Sequence, residues 1–183
     1  MTVDNGTYAG LNINFMQVGR RFNVDASTRC NLLCPGCTRT IDMATGNRNW
    51  DITDLKLEHL QALLHPRNRI SCVTYNGALS DPIYSGTMTE QLEFINTLEI
   101  RPRVILSTNG SGRNEKWWKQ FSSLLRKQDW LQFSIDGLED TNHIYRRGVV
   151  WNKLVNNLLT FTGNGGFAQC RTIVFDHNKH QIE

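Results

Sequence analysis

Segments patterned for strand and for helix alternate five times along this chain, and that regularity restricts the fold more than any other feature. Phe22 to Val24, Ile70 to Tyr75, Val104 to Leu106, Leu131 to Ile135 and Gln169 to Phe175 are short apolar runs bounded by turn residues. They read as buried strands. Between them, Leu57, Leu60, Leu63 and Leu64 recur at helical spacing, with Asp51 or Thr53 as N-cap and Pro66 as terminator. Thr87-Met-Thr-Glu90 reads as a capping box opening a helix along Leu92, Ile95 and Leu98. Asn114 can cap a third helix carrying Trp117, Trp118, Phe121, Leu124 and Leu125. Trp151, Leu154, Val155, Leu158 and Leu159 mark a fourth, stopped by the glycines from Gly163 to Gly166. Thr38 to Asn49 reads as a loop or short helix, and His177 to Glu183 as a linker or a first helical turn.

Such an order predicts parallel βαβ units. The expected fold class is α/β: an open, partial β/α barrel of about five units with its helices outside. Ligands of such folds sit where the strands end, because each strand delivers its following loop to that edge. The polar and glycine-containing stretches after the predicted strands all fall there.

The first of these edge loops is Cys30-Asn-Leu-Leu-Cys34-Pro-Gly-Cys37, a C-x3-C-x2-C run. Thiolates are soft ligands suited to zinc or iron–sulfur, and one turning loop can aim all three at one place. Structural zinc usually takes four ligands, often as two C-x2-C pairs, and no second pair follows here. A zinc site completed by a distant histidine is the alternative. A disulfide framework fits poorly, since the five cysteines are odd in number. An iron–sulfur cube on three cysteines leaves one iron without a protein ligand, and that vacancy is a place for chemistry. Cys72 and Cys170 lie inside predicted strands, where packing as small apolar side chains is expected.

At this point the sequence resembles the radical S-adenosylmethionine (SAM) enzymes, whose signature is this cysteine spacing after the first strand of a partial β/α barrel. The resemblance extends from about Phe22 to the C-terminus. It implies a [4Fe-4S] cluster on Cys30, Cys34 and Cys37 whose open iron chelates SAM. It further implies reductive cleavage of SAM to a 5′-deoxyadenosyl radical that abstracts a substrate hydrogen. The residue before the third cysteine is commonly aromatic in the family and is Gly36 here, where mainly the backbone would face the adenine. Asn76 and Gly77, with Asp81 further on, resemble the glycine-rich segment that receives the SAM amino group; the family often has two adjacent glycines there. Ser107, Asn109, Ser134 and Asp136 correspond to positions that contact the SAM ribose or carboxylate. Arg146 or Arg147 would pair with that carboxylate, since arginine binds it bidentately. Ile173, Val174 and Phe175 would either wall the adenine or pack in the core. No residue is marked as a catalytic acid or base, because the cofactor carries the hard step.

Residues 1–21 are expected to form a lead-in and 22–183 the core. The family's barrel usually has a sixth strand, so the core is expected to be truncated at its C-terminus. The implied partners are an electron donor of flavodoxin or ferredoxin type and, by analogy, a peptide or protein substrate. A remnant that binds cluster or SAM without turnover, and a zinc-binding structural module, are the competing expectations. The net charge of +3 comes from scattered arginines and lysines, which gives no patch for nucleic acid. No apolar run approaches the ~18 residues of a membrane span, and residues 1–20 lack a signal-peptide pattern. A cytoplasmic protein with reduced thiols is expected.

The ligand assignment makes a prediction. Cys34→Ala should abolish cluster incorporation, measured as iron content and visible absorbance after anaerobic reconstitution, whereas Cys72→Ala should retain it.

Overall fold

The computed structural model describes residues 19–182. Residues 1–18, and with them most of the expected lead-in, lie outside the described residues. Five strands form one wholly parallel sheet in the order β1-β2-β3-β4-β5. They are β1 (Arg20–Val24), β2 (Ile70–Tyr75), β3 (Arg103–Thr108), β4 (Trp130–Ser134) and β5 (Ala168–Arg171). The helices are α1 (Thr38–Thr45), α2 (Leu57–Leu63), α3 (Met88–Thr97), α4 (Glu115–Leu124), α5 (Asn142–Tyr145) and α6 (Trp151–Gly163). The sheet is open, with β1 and β5 at its edges. This is the partial β/α barrel that the alternating pattern requires. None of the described helices is long and apolar enough to cross a membrane.

Strand order equal to chain order means that every crossover steps the same way. Crossovers are right-handed, so the connecting helices collect on one face. α2, α3, α4 and α6 accordingly pack each against the next. The strands show which side they cover: Val104, Leu106, Leu131 and Phe133 are fully buried, while the residues between them are only partly buried. Trp118 of α4 anchors the layer. Its ring lies 5.6 Å from Phe133 and 5.7 Å from Phe121, centroid to centroid, and its indole N–H donates to the Gly112 carbonyl at 3.0 Å. At the other end of β3, the buried Asp129 carboxylate takes both Arg101 nitrogens at 2.9 and 2.5 Å and the Val104 N–H at 2.8 Å. That pair closes the end of the sheet away from the loops.

Several local expectations are corrected. α2 begins after Lys56, not at Asp51 or Thr53. Those two are held instead by Thr28, whose hydroxyl donates to the Asp51 carbonyl at 2.7 Å and accepts the Thr53 N–H at 2.8 Å. Thr87 does precede α3 but makes no capping bond; its hydroxyl donates to the Leu55 carbonyl at 3.0 Å, satisfying a backbone group of another segment. Asn114 caps α4 as expected, accepting the Trp117 N–H at 2.9 Å. β5 ends at Arg171, because the Ile173 N–H turns away to the Asp136 carboxylate at 2.7 Å. Cys72 is buried, but Cys170 is exposed, since β5 is an edge strand and its outer positions go uncovered.

Trp118 is the largest of the fully buried side chains. Trp118→Ala should cost about 3–5 kcal/mol, the usual range for deleting a buried large aromatic, read as a lower urea midpoint with an unchanged slope.

Candidate functional site

Each loop that leaves a C-terminal strand end arrives at one cavity. It encloses about 660 Å³ counted out to solvent and is lined by Cys30, Cys34 and Cys37 together with Asn76, Gly77, Ser107, Asn109, Ser134 and Arg146. Those six came from four different loops or strand ends in the sequence reading. Gly36, Asp136 and Val174 do not line it, whereas Leu32, Arg39, Ser80, Asp81, Thr108, Tyr145 and Ile173 do.

The cysteine loop is fastened to its neighbours by polar contacts. The Cys37 N–H turns back to the Cys34 carbonyl at 3.0 Å, and the Leu33 N–H reaches the Arg147 carbonyl at 2.9 Å. Asn109, just beyond β3, donates to Asn31 Oδ1 at 2.9 Å, and Asn31 donates to Ser111 Oγ at 3.0 Å. Asn109 thus stands 3.8 Å from Cys30 Sγ. A Cβ at position 36 would lie 3.0 Å from the Tyr145 hydroxyl, the far end of a side chain from α5 that would have to give by a few tenths of an ångström. Gly77 is required by its backbone. Its φ is +64°, and a Cβ would meet the Ser80 carbonyl oxygen at 2.3 Å.

Asp81 is the residue that sequence reasoning undervalued. It is 3% exposed and accepts the Thr108 hydroxyl at 2.8 Å, the Asn109 N–H at 2.7 Å and the Ile83 N–H at 3.2 Å. Its own N–H donates to the Arg29 carbonyl at 2.8 Å. One side chain therefore joins the β2 loop to the end of β3, beside the start of the cysteine loop. Burial pushes its carboxyl up to about 6, against the three donated bonds. The only sequence signal for it was an acid before Pro82.

Asp136 also differs from its expected role. It is wholly buried, with one carboxylate oxygen on Arg146 Nε at 2.5 Å and the other on the Ile173 N–H. It is a partner of Arg146 and not part of the wall. Arg146 keeps its Nη1 4.0 Å from Cys34 Sγ, while Arg147 stays exposed. Ile173 lines the cavity in place of Val174, which is 62% exposed.

The donor chemistry of the cavity can be tested against a three-cysteine cluster. Burial pushes the Cys30 thiol up to about 11, with the Asp81 charge adding to it, and burial also raises Cys34 against the pull of Arg146. Buried neutral thiols become ligands by losing their protons to a metal. Among the described residues no three His, Cys, Asp or Glu converge as they would on a single ion. Three cysteines on one loop match a cube that leaves one iron open better than the four ligands of structural zinc. Two buried polar atoms of the cavity residues, Arg39 Nη1 and Ser80 Oγ, have no partner among the described residues. Buried polar groups are ordinarily satisfied, so these two fit a site completed by a polar ligand. The residues present fit a cluster with a polar co-ligand.

Neither a protein-family model nor a curated protein matches this chain. Solved structures do. SuiB of Streptococcus suis bound to precursor peptide SuiA aligns with a TM-score of 0.68 at 16% identity, over 88% of this chain and 34% of that one. Native anSMEcpe with bound AdoMet aligns at 0.61 with 19% identity, over 82% and 43%. Native anSMEcpe with bound AdoMet and the Cp18Cys peptide gives 0.61 at 16%, over 82% and 41%. These neighbours are radical SAM enzymes, and the fold they share with this chain is the partial barrel. The chain spans less than half the length of each of them.

Asp81 supplies a pH test. A folded-state carboxyl held near 6 binds its proton more tightly than the unfolded one near 4, so its contribution to stability is present below pH ~4 and is lost as pH rises through 6. Urea midpoints of wild type and Asp81→Asn, compared between pH 4.5 and 7, should show the wild type gaining on the variant toward the acid side.

Proposed function

We propose that this chain is the catalytic core of a radical SAM enzyme. What supports the reading is the meeting of C-x3-C-x2-C with five other loop or strand-end segments on one cavity of a partial β/α barrel. A [4Fe-4S] cluster held by Cys30, Cys34 and Cys37 would supply, when bound, an electron for reductive cleavage of SAM and so open the way to hydrogen abstraction from a substrate.

The chain's own residues have separate tasks in that scheme. Gly77 lets the backbone after β2 approach the SAM amino group, and its tight turn onto Ser80 keeps that backbone in place. Arg146, steered by Asp136, presents its free nitrogens beside Cys34 as a counter-charge for the SAM carboxylate. Ser107, Asn109 and Ser134 offer short hydrogen-bonding groups to the ribose. Tyr145 lies over Gly36 and Ile173 borders the same space, together excluding water from the reacting end. Asn109 holds Cys30 and Asn31 in register, so that the ligand loop is set before the cofactor arrives.

The neighbours' bound peptides support a peptide or protein substrate, with a flavodoxin- or ferredoxin-type protein as the source of electrons. The deciding measurement is anaerobic reconstitution with iron and sulfide, then reduction, addition of SAM and assay for 5′-deoxyadenosine. Four irons per chain and 5′-deoxyadenosine, both lost in Cys30→Ala, are expected. A cluster without cleavage would make the chain a binding remnant, and one zinc with no cluster would overturn the assignment.

A further inference from the structure

The concave face of the sheet descends from the same cavity, and beside Cys72, Ile105 and Trp130 it carries polar side chains that a barrel core does not. Closed β/α barrels fill this space mainly with Val, Ile and Leu. Here the parallel register sets Asn23 beside Thr74, Ser107 beside Gln132, and Gln132 beside Gln169. Gln132 is the hub. Its Oε1 accepts the Ser107 hydroxyl and Arg171 Nη1, each at 3.2 Å, and its Nε2 reaches Gln169 Oε1 at 3.4 Å. Ser107 and Ser134 at the top of this face also line the cysteine cavity, so the two surfaces are continuous.

The face has positive charge without compensation. None of the five strands contains Asp or Glu, and neither Arg103 nor Arg171 has an acidic partner among the described residues. Arg103 lies over Trp130, its guanidinium carbon 3.6 Å from the ring centroid, and its Nε is buried with no partner among the described residues. Burying a guanidinium nitrogen with neither acceptor nor counter-ion is unfavourable, and an arriving carboxylate relieves it. Side-chain amides both donate and accept, which is what a peptide backbone requires of its surroundings.

We propose that this face binds an acidic peptide segment. Its Asp or Glu carboxylates meet Arg103 and Arg171, its backbone lies against Gln132 and Gln169, and the residue above them is presented to the cysteine cavity. The assignment of this peptide as a substrate rests on the radical SAM reading; the binding does not.

The test is a titration of the ¹⁵N-labelled chain, without cluster, followed through the side-chain N–H signals of Arg103, Arg171, Gln132 and Gln169. The probes are three capped tripeptides: triglutamate, triglutamine and trilysine. Triglutamate should move these signals saturably, more weakly at higher salt. Its affinity should fall at least about tenfold in Arg103→Gln/Arg171→Gln, the loss expected for charged contacts. Triglutamine should bind at least as poorly to the wild type, a comparison that stands even if the double variant does not fold. Unmoved signals, equal binding of triglutamate and triglutamine, tighter binding of trilysine, or a folded double variant that binds like wild type would each overturn the proposal. Because no cluster is needed, such a result is separate from failure to form 5′-deoxyadenosine, which bears only on the catalytic reading.

Discussion

The rest of the structure depends on one topological constraint, the coincidence of strand order with chain order in a parallel sheet. With right-handed crossovers, that order leaves the crossover helices on one side and none of them on the other. The covered face can then be apolar, as Val104, Leu106, Leu131 and Phe133 are, and the packing of Trp118 ties helix to sheet. The other face must be polar or must meet something else. The same order brings every loop after a strand to one edge, so residues far apart in sequence share a cavity with no helix intervening.

Loops need more than an edge to become a site. Here the fastening is done by groups that never line up in sequence: Asp81 between the β2 loop and the end of β3, Asn109 between β3 and the cysteine loop, and Asp136 between β4, α5 and the segment after β5. Each is almost wholly buried and each accepts or donates more than one bond. In a low-dielectric interior an unmade bond of this kind is costly, so the three hold the loops in a single arrangement.

Much of this was legible beforehand because periodicity and spacing are local. The five strands, the helix anchored by Trp118 and Phe121, the Asn114 cap and the grouping of Cys30, Cys34 and Cys37 on one loop all follow from neighbours within a few residues. What went unread was decided by distant partners. Thr87 looked like a capping residue until the Leu55 carbonyl, 32 positions away, required its hydroxyl. Val174 and Phe175 looked like strand because they are β-branched and aromatic, but Asp136 draws the chain out of the sheet at Ile173. Cys170 looked buried because the sheet's edge cannot be seen in a single strand.

By itself, then, the sequence determined the class of fold, the number of repeating units and the thiol set with its edge of the sheet, since each of these is encoded by hydrophobic period or by ligand spacing along one short segment. Only the tertiary structure decided that Asp136 steers Arg146 instead of facing the cavity, that the Tyr145 hydroxyl comes up beside Gly36, and that Arg103 rests on Trp130 with no acidic partner among the described residues. The physical reason is common to all three: which polar group a buried side chain meets depends on which strands are adjacent, and adjacency is set only when the whole sheet has formed.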